Sequence, residues 1–223
     1  MKIIITGSEG LLGKEISTYL SKKHEIIGLD LILGHDLTDE NFVKDWFSKN
    51  KADSLVNCFA MNDHVEEGKK RGTIFELTLE SFKKFLDVNL TSLFSVCREF
   101  AKNNKNSGII NFSSIYGLQS PKPELYNKSH KEIGYCVSKS GVINLTKYLA
   151  VHLSPNVKVN CIVPGGIENK QTKEFKKEYS KLTPLKRMMV KNEINGLIDF
   201  LCSKKSSYMT GSVLVVDGGY SSW

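Results

Sequence analysis

The feature that most constrains the fold is a glycine-rich turn close to the start of the chain. Residues 2–5 form a short β-rich run, residues 6–13 carry three glycines, and a helical pattern of apolar residues follows. Residues 25–30 then have the pattern of a second strand, which ends in an acid. A strand, a glycine turn, a helix and a second strand are typical of the first unit of a parallel sheet covered by helices.

The rest of the chain keeps alternating between strand and helix patterns. Strand patterns lie at 54–60, 108–112, 157–163 and 213–216, and helical patterns lie at 41–49, at 79–103 and from 135 onward. This alternation predicts an α/β fold, a doubly wound parallel sheet of the Rossmann type. Because no change of composition divides the 223 residues, we expect a single domain over residues 1–223.

The glycine turn also predicts a ligand. Glycines let backbone N–H groups approach a pyrophosphate at the positive end of a helix, where a Cβ atom would block the approach. Asp30, at the end of the second strand, can accept hydrogen bonds from both ribose hydroxyls of adenosine and would repel a 2′-phosphate. No Arg or Lys directly follows Asp30, so the pattern favours NAD over NADP as the cofactor.

The connection after the second strand is shorter than usual. Only a few residues separate Asp30 from the next cue at Asp36, whereas a parallel crossover normally needs about a dozen. Either the third strand is a stub, or the chain passes along the adenine pocket as a loop. The predicted cofactor-binding residues are Gly7, Ser8, Gly10, Leu11, Leu12, Gly13, Asp30, Asp36, Leu37, Asn57, Ala60, Tyr135, Lys139, Pro164 and Ile167.

Tyr135 and Lys139 are the candidate chemical groups. Their i, i+4 spacing places them on one face of a helix. A fixed cation would lower the pKa of Tyr135 from its ordinary value of ~10, which would make the phenol a usable acid and base. Taken alone, the pentapeptide also fits a solvated tyrosine and lysine on an ordinary amphipathic helix.

Two further polar residues lie where a ligand could meet them. Ser114 follows a strand, at the end where open α/β sheets bind ligands, although a strand-end serine also serves simple turns. Asn89 lies inside a long apolar helix pattern. Its amide either satisfies a backbone group or holds a functional water.

The order of these motifs resembles the short-chain dehydrogenase/reductase family over essentially the whole chain. The resemblance rests on the glycine turn, Asn89, Ser114 before Ile115-Tyr116-Gly117, the Tyr-x-x-Ser-Lys box at 135–139, the Pro-Gly turn at 164–165 and the ending Asp217-Gly218-Gly219. It implies NAD(P)-dependent alcohol oxidation or carbonyl reduction by a tetrad of Asn89, Ser114, Tyr135 and Lys139. Tyr135 would exchange the hydroxyl proton, Ser114 would bind the same oxygen, Lys139 would hold the nicotinamide ribose and Asn89 would hold a relay water.

Three departures from the family pattern are visible. The glycine spacing follows the epimerase-like branch, whereas the catalytic box follows the dehydrogenase branch. Residues 57–60 read Asn-Cys-Phe-Ala where many members have Asn-Asn-Ala-Gly. Residues 119–132 form a longer loop, with Tyr126, Lys128 and His130, which we expect to cover the substrate. The loop and the C-terminal ending resemble members found in bacterial polysaccharide and nonulosonate-sugar biosynthesis.

We therefore expect an oxidoreductase that moves a hydride between NAD(H) and a secondary alcohol or ketone, including sugars and sugar derivatives. One alternative is an NADPH-dependent reductase of 3-oxoacyl groups bound to a carrier, although Asp30 argues against it. Another is a non-enzymatic dinucleotide-sensing scaffold, against which the intact tetrad argues.

Composition narrows the partners. The net charge of +7 comes from dispersed lysines without interleaved aromatic residues, which predicts no nucleic acid. Five separate cysteines without a CxxC motif predict buried free thiols, and with five scattered histidines they predict no metal. The absence of a signal or membrane-length segment predicts a cytoplasmic protein without a membrane partner.

Two other segments carry predictions. The helix patterns that begin at Leu79 and Tyr135 are apolar on more than one face, so we expect a homodimer or homotetramer. Residues 171–191 follow the nicotinamide-side turn and should form a mobile lid over the substrate. Seven of these residues are Lys or Arg and two are Glu, which fits either a solvated helix of paired charges or a rim for an anionic substrate.

Overall fold

The structure is a computed structural model, and it describes residues 1–62, 73–126 and 130–223. Lys128 of the predicted substrate loop lies outside these ranges.

The described strands form one parallel sheet. They are β1 (Lys2–Thr6), β2 (Glu25–Leu29), β3 (Ser54–Asn57), β4 (Ser107–Phe112), β5 (Val157–Pro164) and β6 (Val213–Val216). Their order in the sheet is β2-β1-β3-β4-β5-β6, and every pairing is parallel. The chain runs from β1 outward to β2 and then returns to the other side of β1 for β3. The winding direction therefore reverses between β1 and β3, where open α/β sheets leave a crevice for ligands.

The described helices cover both faces of this sheet. They are α1 (Leu11–Leu20), α2 (Glu40–Lys49), α3 (Leu79–Leu86), α4 (Ser92–Asn103), α5 (Ile133–Leu153), α6 (Lys173–Lys181) and α7 (Asn195–Cys202). The predicted long helix at 79–103 is confirmed, with one irregularity: a π-helical turn at Asp87–Thr91 joins α3 to α4. None of the helices in the described ranges combines the length and apolar character needed to cross a bilayer.

Alternating side chains of the strands fill two separate cores. Ile4 and Leu55 belong to one core, which includes Phe47 of α2 and Phe100 of α4. Their strand neighbours belong to the other core, which α1 and α7 cover. Successive strand side chains point to opposite faces, and both faces are buried here, which explains why the strands are continuous apolar runs. The predicted doubly wound sheet is confirmed.

The chain between β2 and β3 settles the alternatives left open by the sequence. Leu31–Leu33 form one 3₁₀ turn, and no strand lies between Asp30 and Asp53. α2 begins at Glu40, where the Asp39 carboxylate accepts the N–H groups of Asn41 and Phe42. The loop interpretation is therefore correct, because the residues from Asp30 to Asp36 are too few for a crossover to a further strand. The crossover from β2 runs through α2 directly to β3, and β2 is an edge strand.

All five cysteines are free, as predicted. Cys97, Cys161 and Cys202 are buried, whereas Cys58 and Cys136 are half-buried. In the part of the chain that the structure describes, no three His, Cys, Asp or Glu side chains converge on a point that could hold a metal ion.

Candidate active site

A cavity of about 340 Å³ opens at the carboxyl ends of the central strands, beside the reversal between β1 and β3. Nine of the predicted site residues line it: Gly10, Leu11, Leu12, Ala60, Ser114, Tyr135, Lys139, Pro164 and Ile167. The cavity thus reaches from the glycine turn to the Pro164 turn at the end of β5. This is the arrangement that a dinucleotide needs in such a sheet.

The glycine turn has the backbone geometry that the sequence predicted. Gly7 has a φ of +67°, and its N–H donates to the Leu29 carbonyl over 2.7 Å. A Cβ atom at Gly13 would lie 2.0 Å from the Gly7 oxygen, so only glycine fits there. Gly10 is the N-cap residue of α1 and supplies no side-chain cap, which leaves backbone N–H groups of the first turn available to an anion. These residues fit a pyrophosphate.

Asp30 is held beside this turn. Its carboxylate accepts the N–H of Glu9 over 3.0 Å and the N–H of Ile32 over 3.0 Å. Each oxygen keeps further lone pairs, so the carboxylate can still receive ribose hydroxyls. The fixed position fits the predicted adenosine contact.

Four predicted contacts have side chains that serve the fold. Asp36 accepts the N–H and hydroxyl of Thr38, and these bonds lower its pKa. Leu37 is buried in the core, and the Ser8 hydroxyl is buried against Gly28. None of these side chains lines the cavity, because local turns and packing use them first, and their contacts with a cofactor stay predictions.

Asn57 is the fourth such residue, and it belongs to a buried polar ladder. Thr6 donates to Asn57 over 2.9 Å, Asn57 donates to Asn111 over 2.9 Å, and Asn111 donates to Thr146 over 3.0 Å. The ladder links β1, β3, β4 and α5. Its members are between 0% and 2% exposed, so the Asn57 side chain is committed to the sheet interior and does not reach the cavity.

Ser114, Tyr135 and Lys139 converge as the motif spacing predicted. Ser114 follows β4, and its hydroxyl lies close enough to that of Tyr135, in the first turn of α5, to affect the pKa of the phenol. The Lys139 ammonium lies 5.8 Å from the centre of the Tyr135 ring and donates to the Phe112 carbonyl over 2.9 Å. All three side chains are at most 9% exposed.

The pKa values of Tyr135 and Lys139 differ from what the sequence predicted. Burial raises the pKa of Tyr135 to about 12, and the neighbouring Ser114 hydroxyl offsets only part of that rise. Burial also lowers the pKa of Lys139 to about 8. The expected lowering of the Tyr135 pKa by Lys139 is therefore wrong for the protein without ligand, since both groups lose the solvation that favours their charged forms.

Asn89 lies in the π-helical turn between α3 and α4. Its amide accepts the Met61 N–H over 2.7 Å and donates to the Met61 carbonyl over 3.0 Å and to the Ser138 hydroxyl over 3.1 Å. The sequence left two interpretations of Asn89 open, and these contacts agree with the one in which its amide satisfies backbone groups. The amide thereby fixes the chain after β3 against α5, next to Lys139.

Sequence reasoning named Tyr126 in the loop expected over the substrate, but it did not identify the aromatic wall of the cavity. The Tyr126 hydroxyl donates to the Tyr116 hydroxyl over 2.8 Å, and the Tyr126 ring meets Phe175 of α6 with centres 6.0 Å apart. Phe175 stacks on Tyr179, whose hydroxyl accepts the Gly166 N–H. The four rings all line the cavity. Only the spacing of Phe175 and Tyr179 on one helical face could have signalled this wall.

Lys131 lies in the loop at 119–132 that we expected over the substrate, but neither it nor Asn62 was named as a site residue. The Lys131 ammonium lies 4.6 Å from the centre of the Tyr135 ring and donates to the side-chain oxygen of Asn62. Both residues line the cavity. Lys131 precedes Tyr135 by four residues, as Lys139 follows it by four, and this symmetry was the available signal.

Residues 171–191 cover the cavity as predicted, through Gln171, Phe175, Tyr179 and Met188. Their basic residues mostly point elsewhere. Salt bridges join Lys176 to Glu168 over 2.8 Å, Lys181 to Glu178 over 2.6 Å, Arg187 to Glu193 over 2.6 Å and Lys191 to Glu15 over 3.2 Å. None of the seven basic side chains lines the cavity. The structure thus agrees with the interpretation of residues 171–191 as a surface of paired charges. Most of the acidic partners lie outside this segment.

Comparison with known proteins agrees with this geometry. Residues 12–221 match the family model described as enoyl-(acyl carrier protein) reductase. The chain is 30% identical over 229 residues to the 3-oxoacyl-(acyl-carrier-protein) reductase FabG of Aquifex aeolicus, covering 97% of this chain and 86% of that protein. It is 35% identical over 175 residues to a protein of Rhizobium meliloti named probable galactose dehydrogenase GalD, covering 74% of this chain and 62% of the relative.

A solved structure gives the same answer for the fold. A short-chain dehydrogenase of Leptospira borgpetersenii, crystallised with bound NAD⁺, superposes with a TM-score of 0.86 at 29% identity, covering 98% of this chain and 92% of that one. The sequence match and the convergence of Ser114, Tyr135 and Lys139 have one explanation. The chain belongs to the short-chain dehydrogenase/reductase family, whose members are oxidoreductases that act on alcohol or keto groups with a nicotinamide dinucleotide.

Proposed function

We propose that the protein transfers a hydride between NAD(H) and a secondary alcohol or ketone of a small molecule. One observation carries the proposal: the neighbouring side chains of Ser114 and Tyr135 line the same cavity as the Pro164–Ile167 turn, with Lys139 one helical turn away. A single substrate oxygen can meet both hydroxyls there, as acid–base catalysis at a carbonyl or carbinol requires.

Each residue then has a definite task. When bound, the dinucleotide supplies or accepts the hydride. In reduction Tyr135 donates its proton to the substrate oxygen, and in oxidation it removes that proton. Ser114 hydrogen-bonds to the same oxygen and so fixes its position. Lys139 keeps a positive charge near the phenol, and its raised tendency to lose a proton, with a pKa of about 8, allows it to pass a proton onward.

NAD is the proposed cofactor, in preference to NADP. Asp30 is held by two backbone N–H groups at the place where the adenosine ribose would lie, and its carboxylate would repel a 2′-phosphate. The three residues that follow are Leu31, Ile32 and Leu33, which supply no positive charge. The Leptospira structure with NAD⁺ supports the same choice.

Sugars and sugar derivatives are the substrates that the cavity favours. Aromatic rings and the amides of Asn62, Asn169 and Gln171 line it, and this mixture suits rings that carry many hydroxyl groups. The galactose dehydrogenase relative supports this class. The second candidate is reduction of carrier-bound 3-oxoacyl groups with NADPH, which the Aquifex relative supports.

Tyr135→Phe tests the chemistry. The variant keeps the ring and loses the only oxygen that can exchange the proton, so turnover should fall by about 10²-fold or more. NAD affinity, followed by fluorescence titration, should stay within about twofold, because Tyr135 contributes no charge to cofactor binding at neutral pH.

The same assay separates the two substrate classes. Oxidation of a panel of sugars and sugar alcohols with NAD⁺ is compared with reduction of an acetoacetyl thioester with NADPH. Turnover of the thioester alone would transfer the proposal to the second candidate. A Tyr135→Phe protein that keeps full activity would refute the proposed role of the phenol.

A further inference from the structure

We propose that Tyr179 of α6 is a positioning residue for the nicotinamide, because its phenol fixes the backbone turn that follows β5. This inference rests on the proposed function, since it requires the nicotinamide end of the dinucleotide to lie at this turn. Tyr179 takes no part in the transfer of the hydride or the proton. It acts through the shape of the turn.

The turn at Pro164–Ile167 lies where the nicotinamide would meet the protein. Asp30 fits the adenosine ribose at the edge strand β2, and the glycine turn after β1 fits the pyrophosphate. From these two points the rest of the dinucleotide would extend along the cavity, past Tyr135 and toward the end of β5. A planar carboxamide there would meet the backbone N–H and C=O groups of the turn.

The phenol of Tyr179 holds this turn by a hydrogen bond and by close packing. Its hydroxyl accepts the N–H of Gly166. A Cβ atom at Gly166 would lie 2.7 Å from Cζ of the ring, and one at Gly165 would lie 3.1 Å from the hydroxyl oxygen. The phenol thus occupies the space that a side chain would need at either position, so the ring and the turn fix each other.

The bonds on either side of the Gly166 N–H come from the backbone. The Gly165 N–H donates to the Val216 carbonyl of β6 over 2.9 Å, and the Gly166 carbonyl accepts the Met189 N–H over 2.9 Å. The N–H of Gly166 depends instead on the Tyr179 oxygen. Without that oxygen the N–H has lost its protein partner, so the turn must shift until the N–H reaches water or another acceptor.

Tyr179 is itself held in place by a stack of aromatic rings. It is 2% exposed, and its ring stacks on Phe175 and on Tyr220 with centres 6.1 Å and 5.0 Å apart. The two interplanar angles are 26° and 20°. An oxygen held by such a stack can set the position of a backbone N–H, which a mobile side chain on the surface could not do.

Loss of this oxygen should affect the nicotinamide and spare the rest of the dinucleotide. The residues that fit the adenosine and the pyrophosphate follow β2 and β1, at the other end of the cavity from the Pro164–Ile167 turn. A tyrosine that served only the packing of α6 would not separate the two halves of the cofactor in this way.

Equilibrium binding of NADH and of ADP-ribose tests the inference without turnover. ADP-ribose carries the adenosine, the pyrophosphate and the second ribose but lacks the nicotinamide. Tyr179→Phe keeps the ring and its stack and removes only the oxygen. We expect this variant to bind NADH about tenfold more weakly than wild-type protein, which corresponds to about 1.4 kcal/mol, and to bind ADP-ribose within about twofold of wild type.

Tyr220→Phe is the matched control. The Tyr220 ring belongs to the same stack, but among the described residues it does not line the cavity and its hydroxyl bonds no backbone group of the turn. Both ligands should bind this variant within about twofold of wild type. NADH binding is followed by its fluorescence and ADP-ribose binding by calorimetry.

Two results would overturn the inference: Tyr179→Phe binds NADH as tightly as wild-type protein, or it loses affinity for NADH and ADP-ribose equally. Neither depends on the proposed chemistry. A protein that shows the selective loss of NADH affinity but turns over no substrate would refute the proposed function and leave this inference standing.

Discussion

Alanine at position 13 would place a methyl carbon 2.0 Å from the Gly7 oxygen and 2.8 Å from the Gly7 carbonyl carbon. Both are backbone atoms of a turn that is tied to β2 by the Gly7 N–H, so neither can move without shifting the turn. Overpacking of this kind costs about 1–3 kcal/mol, and so severe a contact belongs at the upper end. Alanine returns about 1 kcal/mol through its better helix propensity. We expect a net loss of about 2 kcal/mol from the free energy of unfolding.

Gly196→Ala is the matched control. Gly196 also lies in a helix, but a Cβ atom there would meet nothing within 4 Å. Urea unfolding should show this variant unchanged or stabilised by up to about 1 kcal/mol. NAD affinity should fall by about tenfold or more in Gly13→Ala, because the shifted turn moves the N–H groups that face the pyrophosphate, and should be unchanged in the control. A Gly13→Ala protein that matched the control in stability and affinity would show that the turn does not have this geometry.

Three other predictions address titration, cofactor choice and assembly. Burial lowers the pKa of Lys139 to about 8, so between pH 8 and about 10.4 the unfolded chain holds a proton that the folded protein has lost. The free energy of unfolding of the wild-type protein, measured in urea, should therefore rise over that window relative to Lys139→Met. A difference between the two proteins that does not change with pH would contradict the lowered pKa of Lys139. Asp30→Ala should narrow the preference for NAD over NADP, mainly by weakening the binding of NAD, as measured by paired fluorescence titrations. An unchanged ratio of the two affinities would contradict the role of the Asp30 carboxylate. The helices α3 and α5 expose large apolar side chains: Leu79 is 74% exposed, Tyr148 59% and Val151 74%. We expect a second copy of the chain to cover them, so light scattering at micromolar concentration should give the mass of a dimer or tetramer. A monomeric mass would contradict this expectation.

The fold could be predicted because its determinants are local. Burial on both faces turns each strand into a continuous apolar run, of which Ile3-Ile4-Ile5 is the clearest, and all three are 0% exposed. The glycine turn is equally local, since the positive φ of Gly7 and the close approach of Gly13 to the Gly7 backbone both occur within one stretch of seven residues. The short path after Asp30 was also visible, because the few residues between Asp30 and Asp36 cannot form a crossover to a further strand.

The partners of polar side chains could not be predicted in this way. Asn57 and Asn89 carry the same amide, and in the sequence both were candidates for the site. One meets Asn111 in the neighbouring strand and the other meets the backbone of Met61, so each contact depends on chain segments 28 to 54 residues away.

The pKa of Tyr135 shows where spacing stops being informative. The i, i+4 relation correctly placed Lys139 on the same helical face, but the sign of the shift depends on how deeply both side chains are buried and on what else the ammonium contacts. Lys139 donates to the Phe112 carbonyl, and both side chains are at most 9% exposed, so loss of hydration outweighs the attraction between them. Without ligand, Tyr135 is therefore a protonated acid with a pKa of about 12. Action as a base in alcohol oxidation needs a further positive charge in the cavity, which the oxidised nicotinamide carries, so a spectroscopic titration of tyrosinate should show one tyrosine whose pKa falls when NAD⁺ is added and does not fall in Tyr135→Phe.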